Sequence, residues 1–346
     1  MKLILDEKKI RKGKPVGLPY QGSKKKISKK IIEVIKQNFD LKDKKVYDVF
    51  GGGGAITAEC IINGIPVHYN DLDSTAVRMF TKVLYSDREY LKTLVISREE
   101  FLKLRDKEDK TIDDELKLLV NSFGNKRENY LYNEAISDIK YHLAKDIIDN
   151  HDVFNGYKQT NTYKKVLADY KSKEAREVQQ LEHIGQLQRV QSLEHIGQLQ
   201  RVQHLPHLEQ LQRLEQLNKL HQLSRTESPD NMPYSFSNSI LSISTEPYQY
   251  FSDLTDQIIY LDPPYENTKN HYKAEVDYSE FYDWCVKTAK KNIVLLSGYE
   301  ISDNRFECVF EFKKAKPTLQ GGTGSGCKYE KLFMVKGMGC DNDKID

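Results

Sequence analysis

Asp262-Pro263-Pro264-Tyr265 puts an acid, two rigid imides and a phenol side by side, directly after the apolar run QIIYL at 257–261. Two prolines cannot extend a central strand or sit inside a helix, so they set a stiff loop at that strand's carboxyl end. An amino group conjugated with an aromatic ring is a poor nucleophile, because its lone pair is delocalised. Acceptors that take its hydrogen bonds draw the lone pair out of conjugation and towards an electrophile. The Asp262 carboxylate offers one acceptor and the Pro263 carbonyl another, while Tyr265 offers a face on which a flat substrate can stack. In isolation the tetrapeptide also reads as a plain proline turn; its place after a strand favours chemistry.

A second group is Asp48-Val49-Phe50-Gly51-Gly52-Gly53-Gly54. Glycines after a strand let the backbone approach a ligand closely. Asp71 follows 23 residues after Asp48, at the end of the next apolar run. An acidic residue there suits ribose hydroxyls, so the pair points to a nucleotide-like ligand. No GKS or GKT follows the glycines, which excludes a P-loop, and Thr57 stands where a strict GxGxxG pattern has its third glycine. A third group, Tyr20-Gln21-Gly22-Ser23-Lys24, is by itself only a basic turn.

These groups need a scaffold. VYDVF (46–50) reads as a buried strand, AITAECIIN as a helix and IPVHYND as a second strand, the opening of a doubly wound α/β sheet. The pattern returns with QIIYL, a helix over 278–291, the strand NIVLLS (292–297), and FECVFEF with KYEKLFMVK as an antiparallel pair. Between them, 86–180 is charged and helical in pattern. The expected domains are therefore 1–85 and 246–346 as two parts of one sheet, with an insert at 86–245. Hydrophobic residues make up 38% of the 346, enough for a core.

Within the insert, 181–223 is repetitive: LEHIGQLQRVQS is followed by LEHIGQLQRVQH, and an aliphatic residue recurs at every third position from Leu181 to Leu223. Three residues turn an α-helix by about 300°, so such a stripe slips about 60° per step. Fifteen such positions cannot share one helix face. A compact solenoid and a partly helical low-complexity expansion both remain open, and Pro206 argues against one unbroken helix.

The five cysteines, Cys60, Cys285, Cys308, Cys327 and Cys340, are scattered and form no CxxC pair, which argues against a disulfide framework or a zinc site. No apolar run is long enough to span a membrane. The opening MKLILDEKKIRKGK is too charged for a secretory signal, so a cytoplasmic protein is expected. Residues 1–30 hold eleven Lys or Arg against Asp6 and Glu7, a surplus that suits a polyphosphate partner or a solvated basic tail.

Together the three groups, in this order, resemble the Dam-type (alpha group) DNA N6-adenine methyltransferases. That family carries a lysine-bearing glycine motif, a phenylalanine-and-glycine S-adenosylmethionine (AdoMet) loop, a target-recognition region and then DPPY. SFGNKRENYLY (122–132) resembles a stretch near the start of the recognition region in phage-like members, and LLSGY (295–299) and YEKLF (329–333) resemble the family's late strands. The resemblance implies a Rossmann-like AdoMet-dependent methyltransferase sheet with an inserted, mainly helical target-recognition region that includes the repeats. It implies that Tyr20, Gly22, Lys24, Asp48, Phe50, Gly52, Gly54, Asp71 and Asp262 line the AdoMet site, with Lys24 near the AdoMet carboxylate and Asp71 on the ribose. It implies that Asp262, Pro263, Pro264 and Tyr265 form the catalytic loop. No metal is expected.

Gly51 and Gly53 replace bulkier family residues, so a more mobile loop is expected. The implied partner is double-stranded DNA, with a cognate restriction endonuclease as a candidate second partner, no membrane, a monomeric enzyme, and a bacterial or phage-infected cell as host. Two other acceptors stay open, the N4 amino group of cytosine and adenine in RNA. So does a non-catalytic DNA-binding or interaction protein that works through the repeats.

Overall fold

Strand β4 (Ile258–Leu261) is buried at all four positions, as the uninterrupted apolar run IIYL requires of a strand covered on both faces. In the computed structural model it pairs in parallel with β1 (Val46–Asp48) on one side and β5 (Ile293–Gly298) on the other. The structure describes residues 2–155, 158, 161, 163–165, 168, 208–225, 240–266, 276–312 and 329–338. With β2 (Val67–Asn70), β3 (Leu241–Ser244), β6 (Phe306–Glu311) and β7 (Lys331–Val335), these strands form a seven-stranded sheet in the order β3-β2-β1-β4-β5-β7-β6. The first five strands in that order are parallel, whereas β7 runs antiparallel to both β5 and β6. The alternating FECVFEF and KYEKLFMVK segments thus pair as their period-two pattern predicts.

From β1 the chain steps outward through β2 to β3, and from β4 it steps the other way. The reversal lies between β1 and β4, and open α/β sheets hold ligands at the carboxyl ends of the strands on either side of such a reversal. Helices α1 (Ser28–Asn38), α2 (Ala55–Ile62) and α3 (Ser74–Tyr85) belong to this unit. So does the helix Tyr278–Ala289, whose Phe281, Tyr282, Trp284 and Cys285 pack with Ile259, Leu261, Val294 and Leu296 of β4 and β5.

β3 lies inside the range assigned above to the insert, yet it is a strand of the sheet. LSIS carries too little apolar alternation to be recognised alone. Its hydroxyls are met by the neighbouring strand instead: Ser242 and Ser244 bond the two ring nitrogens of His68 at 2.8 and 2.7 Å, and Ser244 donates to Asn70 Oδ1 at 2.6 Å.

The chain divides into two compact units, one holding the sheet (Met1–Leu18, Gly22–Leu84, Gln222–Asp346) and one formed by Pro19–Gln21 and Tyr85–His221. The second unit is helical: α4 (Arg88–Lys92), α5 (Arg98–Arg105), α6 (Ile112–Asn121), α7 (Glu134–Asn150) and α8 (Glu209–Gln222). Most of the repeat, 181–207, lies outside the described residues. The described end of the stripe is α8, a single α-helix. A three-residue stripe winds around such a helix, and Leu208, Leu211, Leu214, Leu217 and Leu220 are nonetheless all fully buried. The helix is therefore enclosed on most sides, with only Glu209 and Gln222 exposed.

Two of its buried polar side chains donate to neighbouring elements. Gln210 donates to Tyr130 Oη at 3.0 Å, and Arg213 donates to the carbonyls of Leu119 and Val120 at 2.8 and 3.0 Å. The latter satisfy carbonyls that the last turn of α6 cannot pair internally. Leu214→Ala should cost about 2–5 kcal/mol, the range for emptying a buried leucine site, measured by urea unfolding. A loss below about 1 kcal/mol would mean that this leucine fills no core.

Candidate active site

Everything that the sequence singles out for chemistry in the sheet unit gathers at the carboxyl ends of β1, β2 and β4. β1 ends at Asp48, which is 1% exposed; its Oδ2 accepts from the Thr57 amide at 3.1 Å and the Thr57 hydroxyl at 2.7 Å. Thr57, which breaks the GxGxxG pattern, thus ties the first turn of α2 to the end of β1. Burial pushes the Asp48 carboxyl up to about 7, against the pull of the two Thr57 donors.

The glycine loop is fastened along its length, where its composition predicts looseness. Gly51 N donates to Asn70 O at 2.8 Å, Gly52 N to Asp71 Oδ2 at 2.7 Å and Gly54 N to Gly51 O at 2.8 Å, while Tyr69 Oη and Leu18 N donate to the carbonyls of Gly52 and Gly53. Two positions demand glycine. A Cβ on Gly51 would stand 2.2 Å from the Tyr69 ring, and one on Gly54, whose φ is +68°, would stand 2.1 Å from the Phe80 ring. The extra glycine at 51 is the counterpart of Tyr69, so it marks close packing and not mobility.

Asp71 faces this loop from the end of β2. Besides Gly52 N it accepts from Asp73 N at 2.8 Å, and burial pushes its carboxyl up to about 6 despite those donors. Phe50 packs against Tyr248 and Phe281.

The DPPY loop begins at the end of β4. Lys24, at the start of a 3-10 turn over Lys24–Lys26, reaches it from the N-terminal segment. Its Nζ lies 2.8 Å from Asp262 Oδ1 and 3.4 Å from Glu330 Oε1, and it also bonds the Tyr265 hydroxyl. The Tyr265 hydroxyl donates to Glu330, its oxygen lying 2.8 and 3.0 Å from the two carboxylate oxygens, and the ring meets Tyr299 edge-on at 4.7 Å. Burial pushes the Asp262 carboxyl up to about 6; Lys24 pulls it down and Glu330 pushes it further up. Burial also opposes the Lys24 charge, but the two carboxylates outweigh it and hold the ammonium above the usual lysine range. Gly22 precedes this turn with φ +72°, whereas Tyr20 falls in the stretch that groups with the helical unit.

Glu330 and Tyr299 carried no assignment in the sequence. A signal for Glu330 was present: in KYEKLFMVK it alternates in phase with Leu332 and Met334, so an acid occupies an inward position of an apolar strand.

The sheet edge thus brings together an amide-rich glycine loop with an acid beside it at the end of β2 and, from the neighbouring β4, a stiff acid-and-tyrosine loop, on an α/β sheet of the Rossmann-like kind. The family model for D12 class N6 adenine-specific DNA methyltransferases matches residues 20–195, just over half of the chain, and the chain belongs to that family. It is an adenine-specific DNA methyltransferase, and the family implies AdoMet as methyl donor. This decides between the acceptors left open above. The matched span includes Lys24, the glycine loop and Asp71 but ends before Asp262. Among curated proteins none matches the chain. No helix among the described residues is long and apolar enough to cross a membrane.

The raised Asp48 carboxyl has a consequence for stability. Its folded value lies above the unfolded one, so its contribution is fully present below about pH 4 and is lost as pH rises through about 7. Asp48→Asn should escape that loss. Its melting temperature relative to the natural protein should rise between about pH 5 and about pH 8. A constant difference across that range would show that Asp48 does not titrate there.

Proposed function

We propose that this enzyme methylates the N6 amino group of an adenine flipped out of a specific site in double-stranded DNA, with Asp262 and the Pro263 carbonyl as acceptors for that amino group. The observation that carries this reading is the placement of Asp262 at the β1–β4 reversal, half-buried beside a cation and on the same sheet edge as the glycine loop. The residues there fit AdoMet by their chemistry. Asp71 offers an acceptor for ribose hydroxyls, the loop offers close backbone approach, Asp48 and Phe50 shape that loop, and Gly22 and Lys24 complete the proposed cofactor set. When bound, AdoMet supplies a methyl group on a positive sulfur.

The ionised Asp262 takes a hydrogen bond from the amino group, and the Pro263 carbonyl, on an imide with no N–H of its own, takes the other. Both draw the nitrogen lone pair out of the purine ring. Tyr265 supplies an aromatic surface for the base; stacking of this kind is worth about 1–3 kcal/mol, comparable with the few kcal/mol needed to extract a base from a duplex. Pro264 keeps the two in register.

The helical unit is the proposed recognition region. In it, Ser122 and Tyr130 bridge in antiparallel fashion and close a loop that carries Phe123, which is 68% exposed, with Lys126 and Arg127 beside it. A duplex is the proposed partner, a cognate restriction endonuclease a candidate second one, and the enzyme is proposed to act as a monomer without a metal.

Asp262→Ala should abolish methyl transfer while the far-ultraviolet circular dichroism and AdoMet-independent melting stay close to those of the natural protein; normal turnover by a folded variant would end the catalytic assignment. Asp71→Ala should weaken AdoMet binding by about 1.5–3 kcal/mol, the worth of a charged hydrogen-bond partner. An unchanged dissociation constant by calorimetry would remove Asp71 from the cofactor site.

A further inference from the structure

Glu330 is 5% exposed and stands immediately before β7, far in sequence from every group assigned above. Buried carboxylates are tolerated when their acceptor positions are filled. Those of Glu330 are filled almost wholly by the catalytic loop and its support. The Tyr265 hydroxyl bonds it at 2.8 and 3.0 Å, Ser297 Oγ donates at 2.9 Å and Lys24 Nζ stands at 3.4 Å. The ammonium of Lys24 therefore has two acids to serve, Asp262 and Glu330. With Glu330 absent, it would turn wholly to Asp262 and compete for the oxygen that the target amino group needs.

We propose that Glu330 is a positioning residue for methyl transfer: it holds Lys24 and the Tyr265 hydroxyl, and so keeps acceptor capacity on Asp262 for the adenine amino group. The role rests on the reading of Asp262 given above. It acts through Lys24 and Tyr265 and touches no substrate. Its charge also adds to the field on Asp262, which is faced by Lys24 from the N-terminal turn, Asp48 from β1, Tyr265 from its own loop and Glu330 from the residue before β7. Tyr260 on β4 and Tyr299 after β5 lie in the same field. Burial and the Glu330 charge both raise the Asp262 carboxyl, so removing the second charge lowers it.

The test uses the full chain, AdoMet as donor and genomic DNA from a host without adenine methylation, with N6-methyladenine as the product measured. Glu330→Gln should lower kcat on the order of ten- to hundredfold, as loss of positioning does, and move the acid limb of the kcat/KM profile to lower pH. Glu330→Asp keeps the charge, so it should recover much of the rate and leave the limb in place. AdoMet affinity should fall far less than kcat in either variant, since Glu330 reaches the cofactor only through Lys24. Natural kcat and an unmoved limb in Glu330→Gln would overturn the inference. So would a rate loss matched by lower melting temperatures in both variants with no change in profile, or failure of both to fold, since Glu330 would then be a core residue only. Asp262→Ala separates the two levels. If it still turns over, the reading of the site is wrong; if it is dead while Glu330→Gln behaves as the natural enzyme, only the role of Glu330 falls.

Discussion

The pairing of β1 with β4 is the contact on which the rest depends. Val46 meets Ile258, and Asp48 meets Tyr260, across more than two hundred residues of chain. Both strands are buried, and their parallel ladder leaves their carboxyl ends side by side, the glycine loop leaving one and the Asp262 loop leaving the other. The sheet reverses direction of growth between these two strands, so both loops leave it at the switch point where open α/β sheets hold ligands. A one-residue slip of this register would turn Asp48 and Tyr260 to the opposite faces of the sheet.

That edge collects acids. Asp48, Asp71 and Asp262 are all raised by burial, and Lys24 brings a full positive charge to Asp262. Each acid is held by different means: Asp48 by Thr57, Asp71 by two backbone amides, Asp262 by Lys24. A site tuned this way sacrifices stability near neutral pH. In exchange it has acceptors whose affinity for a proton, and hence for a polarised N–H, lies above that of an ordinary surface carboxylate. The basic N-terminal segment is spent partly inside the protein. Arg11 pairs with the fully buried Glu59 and Lys24 with Asp262 and Glu330, while Lys8, Lys9, Lys12, Lys14 and Lys26 remain exposed. The local charge surplus is thus smaller towards a polyanion than the raw sequence suggests.

The helical unit solves a packing problem posed by its own sequence. A leucine at every third position makes a stripe that no single helix face can hold, and α8 answers by being enclosed. The polar residues between the leucines then need internal partners, which Gln210 and Arg213 find in Tyr130 and the end of α6. An aliphatic repeat so regular is compatible with a buried helix only where the surrounding helices supply such partners.

By itself the sequence determined the chemistry-bearing loops and the order of the elements: the stiffness of Asp262-Pro263-Pro264-Tyr265, the glycine break after β1, the acid at the end of β2, and the alternation of β6 and β7. These follow from local covalent geometry and from short-range periodicity, which neighbouring residues carry in full. Tertiary structure decided what depends on residues distant in the chain. It made LSIS a strand, because its hydroxyls find His68 and Asn70 on β2. It turned Gly51 from a sign of mobility into a close contact, because the Tyr69 ring occupies the space of a Cβ. It brought Lys24, Asp262, Tyr265 and Glu330 into one cluster, because burial and charge can be balanced only among groups that the sheet has already brought within a few ångströms of one another.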